Sequence, residues 1–158
     1  MTIKTLSDLF IHDLSDIYSA EKQISRALPK MARASTDKKL AKAFEQHLEE
    51  TRGQIDRIDQ LVEVTDSVHI KRMKCHALEG LVEEAQEIID SVEAGPIRDA
   101  GLIGAAQKVE HYEIAAYGTL RALAFKLGYD DAAKLLSETL EEEKATNDKL
   151  NSIAEQQS

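Results

Sequence analysis

Residues 6–28 read LSDLFIHDLSDIYSAEKQISRAL. Apolar side chains recur in this stretch at intervals of three and four residues, which is the spacing that lines one face of an α-helix. The pattern predicts a long amphipathic helix over about residues 3–33. Pro29 lies late in that range and should kink or loosen one turn, because proline lacks a backbone donor and crowds the preceding turn.

Four further helices are predicted, the second and third from the same apolar spacing and the fourth and fifth from residues that end or begin helices. Asp37 is placed to cap the second helix, and Ala94-Gly95-Pro96 is a strong stop after the third. Gly128 closes the fourth helix, and Asp130 can cap the fifth. The predicted ranges are about 37–65, 70–94, 97–127 and 130–155.

These five helices form two long hairpins joined by a shorter connecting helix. Ferritin-like bundles have this order of elements. The sequence therefore predicts an all-α fold, a ferritin-like four-helix bundle with one additional connecting helix. A length of 158 residues fits one domain, so we expect a single ferritin-like domain over residues 1–158.

Composition and charge argue against several classes of partner. The net charge of −9 disfavours nucleic acid, which is bound chiefly by clustered Lys and Arg. No apolar run approaches the roughly 20 residues of a membrane span, and no secretory signal is visible. Cys75 is the only cysteine, and its helical spacing from Leu78 and Val82 favours a buried structural thiol over a redox centre. We expect a cytoplasmic protein.

Acidic residues interrupt the apolar faces of the four long helices. Glu21 falls within about 40° of the apolar stripe of the first helix, so its side chain should face inward. Glu143 follows Leu136 by seven residues and should face the same way as that leucine. The acids predicted to lie at or beside the inward faces are Glu21, Glu50, Glu110, Glu113 and Glu143.

The turns predict the height of these acids within the bundle. Residues equally distant from the turn of an antiparallel hairpin lie side by side, because both helices rise about 1.5 Å per residue. Glu21 and Glu50 are equidistant from the first turn, and Glu113 and Glu143 are equidistant from Gly128. Both hairpins therefore place acids near mid-height.

Several ionised carboxylates in a bundle interior require compensation, because each buried charge costs several kcal/mol and like charges repel. Metal ions would supply it, and oxygen ligands with some imidazole suit a pair of iron or manganese ions. His47 lies one turn before Glu50 and is either a ligand, a group that orients one, or a core histidine. Tyr117 either hydrogen-bonds a ligand carboxylate or is a plain core residue. With 29 acidic residues, some acids also lie near a core by chance.

Five segments spread over nearly the whole chain resemble those of one known family. They are DLSDIYSAEKQ (13–23), HLEETRGQIDRI (47–58), KRMKCHALEGLVEEAQE (71–87), AAQKVEHYEIAAYGTL (105–120) and ETLEEEKAT (138–146). The chain is identified on these segments as similar to the YciE/YciF family of ferritin-like bacterial stress proteins. The resemblance implies a bundle with an added connecting helix, a cytoplasmic homodimer and a rubrerythrin-like carboxylate metal site.

One departure leaves enzymatic activity open. Di-metal bundles commonly carry Glu-x-x-His on two helices, but Gly53 follows Glu50 at that spacing and Thr146 follows Glu143. Three hypotheses remain. The first is a di-iron or di-manganese protein that reacts with dioxygen or peroxide, and the second is a non-catalytic interaction or assembly module. The third, an iron-storage shell, requires many subunits and is the least favoured.

Overall fold

A computed structural model describes residues 2–156. Within them the chain forms five α-helices and no strand, which confirms the all-α prediction. No helix in this range is both long enough and apolar enough to cross a bilayer. The helices are α1 (Leu6–Ala34), α2 (Lys38–Val64), α3 (His76–Ser91), α4 (Pro96–Leu127) and α5 (Asp130–Gln156).

The four long helices form a helical bundle around one core. Short turns join α1 to α2 and α4 to α5, so each pair is an antiparallel hairpin. The hairpins pack face to face through α1 on α4 and α2 on α5, while α3 lies against α1 and α4. The core is built mainly of Leu, Ile and Ala, with a few aromatic rings such as Phe10 and Phe44.

Local hydrogen bonds explain several helix ends. Thr5 Oγ1 accepts from the backbone N–H of Asp8 at 3.0 Å, and the Asp8 carboxylate accepts from the N–H of Thr5 at 3.2 Å. This capping box starts α1 at Leu6, slightly later than predicted. Gly128 adopts a left-handed conformation with φ of 73°, which lets the chain turn sharply from α4 into α5. Pro29 lies inside α1, which continues to Ala34.

The predicted range of the third helix, 70–94, is wrong at both ends. Residues 68–75 have no regular secondary structure, and α3 spans only His76–Ser91. Side chains of α1 bind this connection, because Ser15 Oγ accepts from the N–H of Lys71 at 2.8 Å and Ser19 Oγ accepts from the N–H of Cys75 at 3.1 Å. Hydroxyl acceptors of this kind offer the backbone an alternative to helical hydrogen bonds.

Asp99 links the two hairpins. Its buried carboxylate, in the first turn of α4, accepts hydrogen bonds of 2.8 Å from the backbone N–H groups of Thr36 and Asp37 in the α1–α2 turn. Hydrogen bonds to an ionised acceptor are stronger than those between neutral groups. This contact therefore helps to fix how far one hairpin is shifted along the other, which sets the relative heights of side chains on α1, α2 and α4.

Candidate metal centre

Five ionisable side chains from all four long helices meet inside the bundle. Glu21 comes from α1, His47 from α2, Glu110 and Glu113 from α4, and Glu143 from α5. The four acids have no solvent exposure and His47 is only 3% exposed. We call these five residues the buried cluster. Within it, His47, Glu110, Glu113 and Glu143 each offer a ligand atom, and these atoms lie within 4.8 Å of one another, close enough to hold a metal ion.

The buried cluster is not satisfied by hydrogen bonds within the protein. His47 Nε2 lies 2.8 Å from Glu110 Oε1, as an ion pair when the imidazole is protonated. No backbone group donates to the carboxylate oxygens of the four acids, which lie against one another and against Tyr117. A buried polar group left unsatisfied costs roughly 1–3 kcal/mol, more when charged. A cation bound among these atoms would satisfy many of them at once, so the residues present fit a metal.

Burial makes the cluster hard to ionise without a cation. Burial is the main reason that the pKa of Glu21 is raised to about 8, and the charge of Glu143 contributes to that rise. Burial likewise raises the pKa of Glu110 to about 7. The pKa values of Glu113 and Glu143 are raised well above the ordinary range, first by burial and then by neighbouring carboxylates. A bound divalent cation reverses this tendency, because it favours the ionised form of every acid that it contacts.

Glu50 lies at the edge of the cluster rather than within the closely spaced group. It is half-buried, and its Oε2 accepts a hydrogen bond of 2.9 Å from Thr146 Oγ1 of α5. Its charge still contributes, after burial, to the raised pKa of Glu110. Gly53, at the other position where an imidazole was expected, is exposed with open space around it. Both positions at which a Glu-x-x-His unit would carry its histidine, 53 and 146, therefore lack an imidazole.

Tyr117 lies next to the cluster on α4, one turn after Glu113. Its side chain has no solvent exposure, and its hydroxyl lies against the carboxyl group of Glu21. Burial raises the pKa of Tyr117 strongly, and the charges of Glu21, Glu113 and Glu143 add to the rise. The hydroxyl is therefore a further polar group beside the four acids, available to a ligand carboxylate.

Arg57 is a cation near Tyr117 that the sequence patterns did not indicate. Its guanidinium binds both oxygens of Glu142, at 2.9 and 3.0 Å, and donates to Thr139 Oγ1 at 2.8 Å. The positive charge of Arg57 opposes the rise in the pKa of Tyr117. The signal was missed because these contacts join α2 to α5 over more than 80 residues of sequence.

Cys75 is buried, as predicted, but it is not part of a helical stripe. It is the N-cap of α3, where its Sγ accepts from the N–H of Leu78 at 3.4 Å. The thiol lies 3.3 Å from the hydroxyl of Tyr112, which donates to the Asp16 carboxylate. Burial is the main reason that the pKa of the Cys75 thiol is raised. His111 is exposed and belongs neither to the buried cluster nor to the residues around Cys75.

Comparison with known proteins identifies relatives over nearly the full length. The profile of the family described as "Domain of unknown function (DUF892)" matches residues 5–158. Protein YciF of Escherichia coli (strain K12) is 65% identical over 154 residues, a match that spans 98% of this chain and 93% of that protein.

Solved structures agree with the fold. The crystal structure of the E. coli stress protein YciF matches with a TM-score of 0.97 and 64% identity over 98% of both chains. YcfI of Rhodopseudomonas palustris matches with a TM-score of 0.90 and 46% identity over 94% of both chains. A protein of Xanthomonas campestris pv. campestris has a TM-score of 0.76 at 23% identity, covering 96% of this chain and 92% of its own, and supports the fold alone.

Proposed function

This chain belongs to the family described as "Domain of unknown function (DUF892)", and from that premise we propose that it is a stress-associated, ferritin-like metal-binding protein with a carboxylate-rich di-metal site. The relation to YciF, which is named a stress protein, supports the association with stress. The ions are iron or manganese, because carboxylate oxygens with a single imidazole suit these metals.

One observation carries the proposal. Ten buried ligand atoms, two on each residue of the buried cluster, come from four different helices and receive no hydrogen bond from the backbone; His47 Nε2 and Glu110 Oε1 form the one ion pair among them, 2.8 Å apart. His47, Glu110, Glu113 and Glu143 would hold one ion. Glu21 of α1 and Glu50 of α2 would complete the ligands of a second.

The protein contributes position, charge and shielding to the site. Bound ions would supply the redox change for reaction with dioxygen or peroxide. The buried acids stabilise positive charge, and Tyr117 places a phenolic proton beside them. The Thr146 hydroxyl holds Glu50 at the edge. Because the site has one imidazole and many oxygens, it favours hard ions over zinc, which prefers nitrogen and sulfur ligands.

Metal analysis of the native protein, prepared without chelators, tests the proposal. We expect iron or manganese in a fixed ratio to protein, and we expect anaerobic titration with ferrous or manganous ion to saturate. Glu143→Gln should reduce that ratio, whereas Glu141→Gln, which changes an exposed acid on the same helix, should not. Native protein that contains neither metal and binds none when it is added would refute the site.

A second candidate function is a non-catalytic bundle that acts in interaction or assembly. The observation in its favour is that burial raises the pKa of Glu21 to about 8 and that of Glu110 to about 7. Acids protonated near neutral pH need no cation. This alternative predicts a thermal midpoint that is insensitive to added iron or manganese, whereas a ligand that binds only the folded state raises the midpoint.

We also propose that the chain acts as a single ferritin-like domain in a cytoplasmic homodimer. The resemblance to the YciE/YciF family supports the dimer, and a dimer is too small to enclose an iron-storage cavity. Light scattering and native mass measurement separate the two assemblies, since a storage shell contains many subunits. A mass many times that of one chain would favour storage.

A further inference from the structure

A small apolar cavity ends at the imidazole of His47. Its volume is about 20 Å³, and nine of its ten lining residues are aliphatic, Ala or Met. His47 is the exception, with 3% exposure; its Nε2 lies 2.8 Å from Glu110 Oε1, and its Nδ1 has no hydrogen-bond partner. A volume of roughly 10–15 Å³ is enough for one water-sized molecule, but a buried water needs two to four polar partners. This lining favours a small apolar molecule over water.

The cavity lies directly beneath a groove in the protein surface. The groove runs between α1 and α3, has a volume of about 270 Å³ and includes the polar side chains of Arg26 and Lys30. Groove and cavity share four lining residues, so a single layer of side chains separates them. That layer consists of Ala27, Met31, Val82 and Ala85.

We propose that the groove and the cavity form a passage through which a small apolar gas of the size of dioxygen reaches the metal centre. The passage rests on the proposed function, because its inner end is a residue of the buried cluster. Small and flexible side chains form the separating layer, so thermal motion of Met31 and Val82 can open it. An ion would lose several kcal/mol of hydration energy in this apolar lining, which excludes charged species.

A second cavity beside His47 has a mixed lining. Its volume is about 20 Å³, it lies between α2 and α5, and the polar side chains of Gln46, Glu50, Thr146 and Lys149 line it together with the apolar side chains of Ala43, Phe44 and Leu150. A cation can approach the centre along the polar side chains of this second cavity. The apolar passage is therefore not required for metal binding, and blocking it should leave metal content unchanged.

Ala27 is the best position at which to block the passage. It is only half-buried, so a larger side chain there fills the opening without overpacking the deep core. Val82, also half-buried, offers the reverse change, because Val82→Ala widens the separating layer. Ala77→Leu is the matched control, since Ala77 is exposed on α3 and lines neither space.

Dissolved dioxygen is the probe, because it is paramagnetic and speeds the relaxation of methyl protons that it approaches. In the chelated, metal-free protein under oxygen pressure, we expect faster relaxation of the Ile24 and Leu28 methyl groups, which line the cavity, than of the Leu136 methyls, which are as deeply buried. This excess should be lost in Ala27→Leu, increased in Val82→Ala and retained in Ala77→Leu. Equal relaxation of all three residues in the wild-type protein would overturn the passage.

A second arm uses the metal-loaded protein. Ala27→Leu should bind as many ferrous ions under anaerobic conditions as the wild-type protein does, but oxidise them more slowly when dioxygen is mixed in. Binding with an unchanged oxidation rate would overturn the passage while leaving the metal centre intact. Absence of metal binding would refute the proposed function, whereas the relaxation measurement on metal-free protein separately decides whether dioxygen enters the cavity.

Discussion

Thr146 donates a hydrogen bond of 2.9 Å to Glu50, from α5 across to α2. Thr146 occupies the position three residues after Glu143, where di-metal bundles commonly carry a histidine. In this chain that position supplies no metal ligand of the usual kind. It instead holds an acid at the edge of the buried cluster, which makes the candidate centre richer in oxygen than the common arrangement.

Removal of this hydrogen bond should weaken the outer part of the site. In Thr146→Val the carboxylate of Glu50 loses its donor, and we expect the unfolding free energy to fall by about 1–3 kcal/mol. The capacity for a second metal ion should fall as well, because Glu50 is no longer held in place. Urea denaturation and anaerobic titration measure the two effects. Thr146→Ser keeps the hydroxyl and should behave like the wild-type protein, so equal losses in both variants would contradict this role.

Neutralising one buried acid should have opposite effects on stability and on metal binding. Glu113→Gln keeps the shape of the side chain but removes a carboxyl whose pKa is strongly raised by burial. Metal-free protein near pH 8 should become more stable, because the side chain at this position no longer has to take up a proton when the protein folds. Metal affinity should fall, since an amide oxygen is a weaker ligand for a cation than a carboxylate. A variant that loses stability and keeps full metal affinity would show that Glu113 is not a ligand.

Asp99 should matter for stability although it lies outside the buried cluster. Asp99→Asn leaves only one acceptor oxygen for the two backbone N–H groups of Thr36 and Asp37, and we expect a loss of about 2–3 kcal/mol. Asp131→Asn is the control, because Asp131 is an exposed acid in the first turn of α5. Asp131→Asn should lower the unfolding free energy by less than about 1 kcal/mol, because it removes only a favourable interaction with the helix dipole. Equal losses of unfolding free energy in the two variants would mean that the hydrogen bonds of Asp99 between the hairpins do not contribute to stability.

The helical part of the fold could be predicted because its signals are local. Apolar stripes predicted α1 and α2, and the breaks at Gly95-Pro96 and Gly128 bounded α4 and α5. The turn at Gly128 also correctly predicted that Glu113 and Glu143 lie at one height, since both helices rise equally from it. The contacts that were missed join residues far apart in sequence. Ser15 and Ser19 bind the segment before α3 across 56 residues of chain, and no periodic pattern records such a contact.

The inward-facing acids could be predicted from the sequence, whereas the details of their surroundings could not. A charged residue inside an apolar stripe is conspicuous in a helix, so Glu21 and Glu143 stood out. The position of Glu50 was harder to predict, because its half-buried place at the edge of the cluster depends on a hydrogen bond from Thr146 of another helix. The apolar cavity beside His47 depends on the packing of α3 against α1, which a sequence pattern does not specify.

The thiol of Cys75 should be unreactive in the folded protein. It has no solvent exposure, and burial raises its pKa, so both access and thiolate formation are suppressed. We expect an aromatic disulfide reagent to label it only at the rate at which the protein opens, and added metal should slow the labelling by stabilising the folded state. Fast labelling without denaturant would contradict a structural role. Cys75→Ala supplies the background rate.

The raised pKa values of the buried acids predict how the stability of metal-free protein depends on pH. Burial raises the pKa of Glu21 from 4.5 to about 8, so the folded state binds that proton more tightly than the unfolded state does. The stabilisation is therefore fully present below the unfolded pKa and is lost as pH rises through the folded value. Glu110, with a pKa of about 7, acts in the same direction.

Between about pH 6 and pH 8 the unfolding free energy of metal-free protein should thus fall, by on the order of 2 kcal/mol for Glu21. Denaturant titrations at several pH values measure this slope. Glu21→Gln should flatten it, while Glu141→Gln, at an exposed position, should leave it unchanged. Saturating iron or manganese should also flatten the slope, because bound cations keep the acids ionised throughout the range. A stability that rises with pH in metal-free protein, or a slope that Glu21→Gln does not alter, would mean that the buried acids are already compensated without a metal.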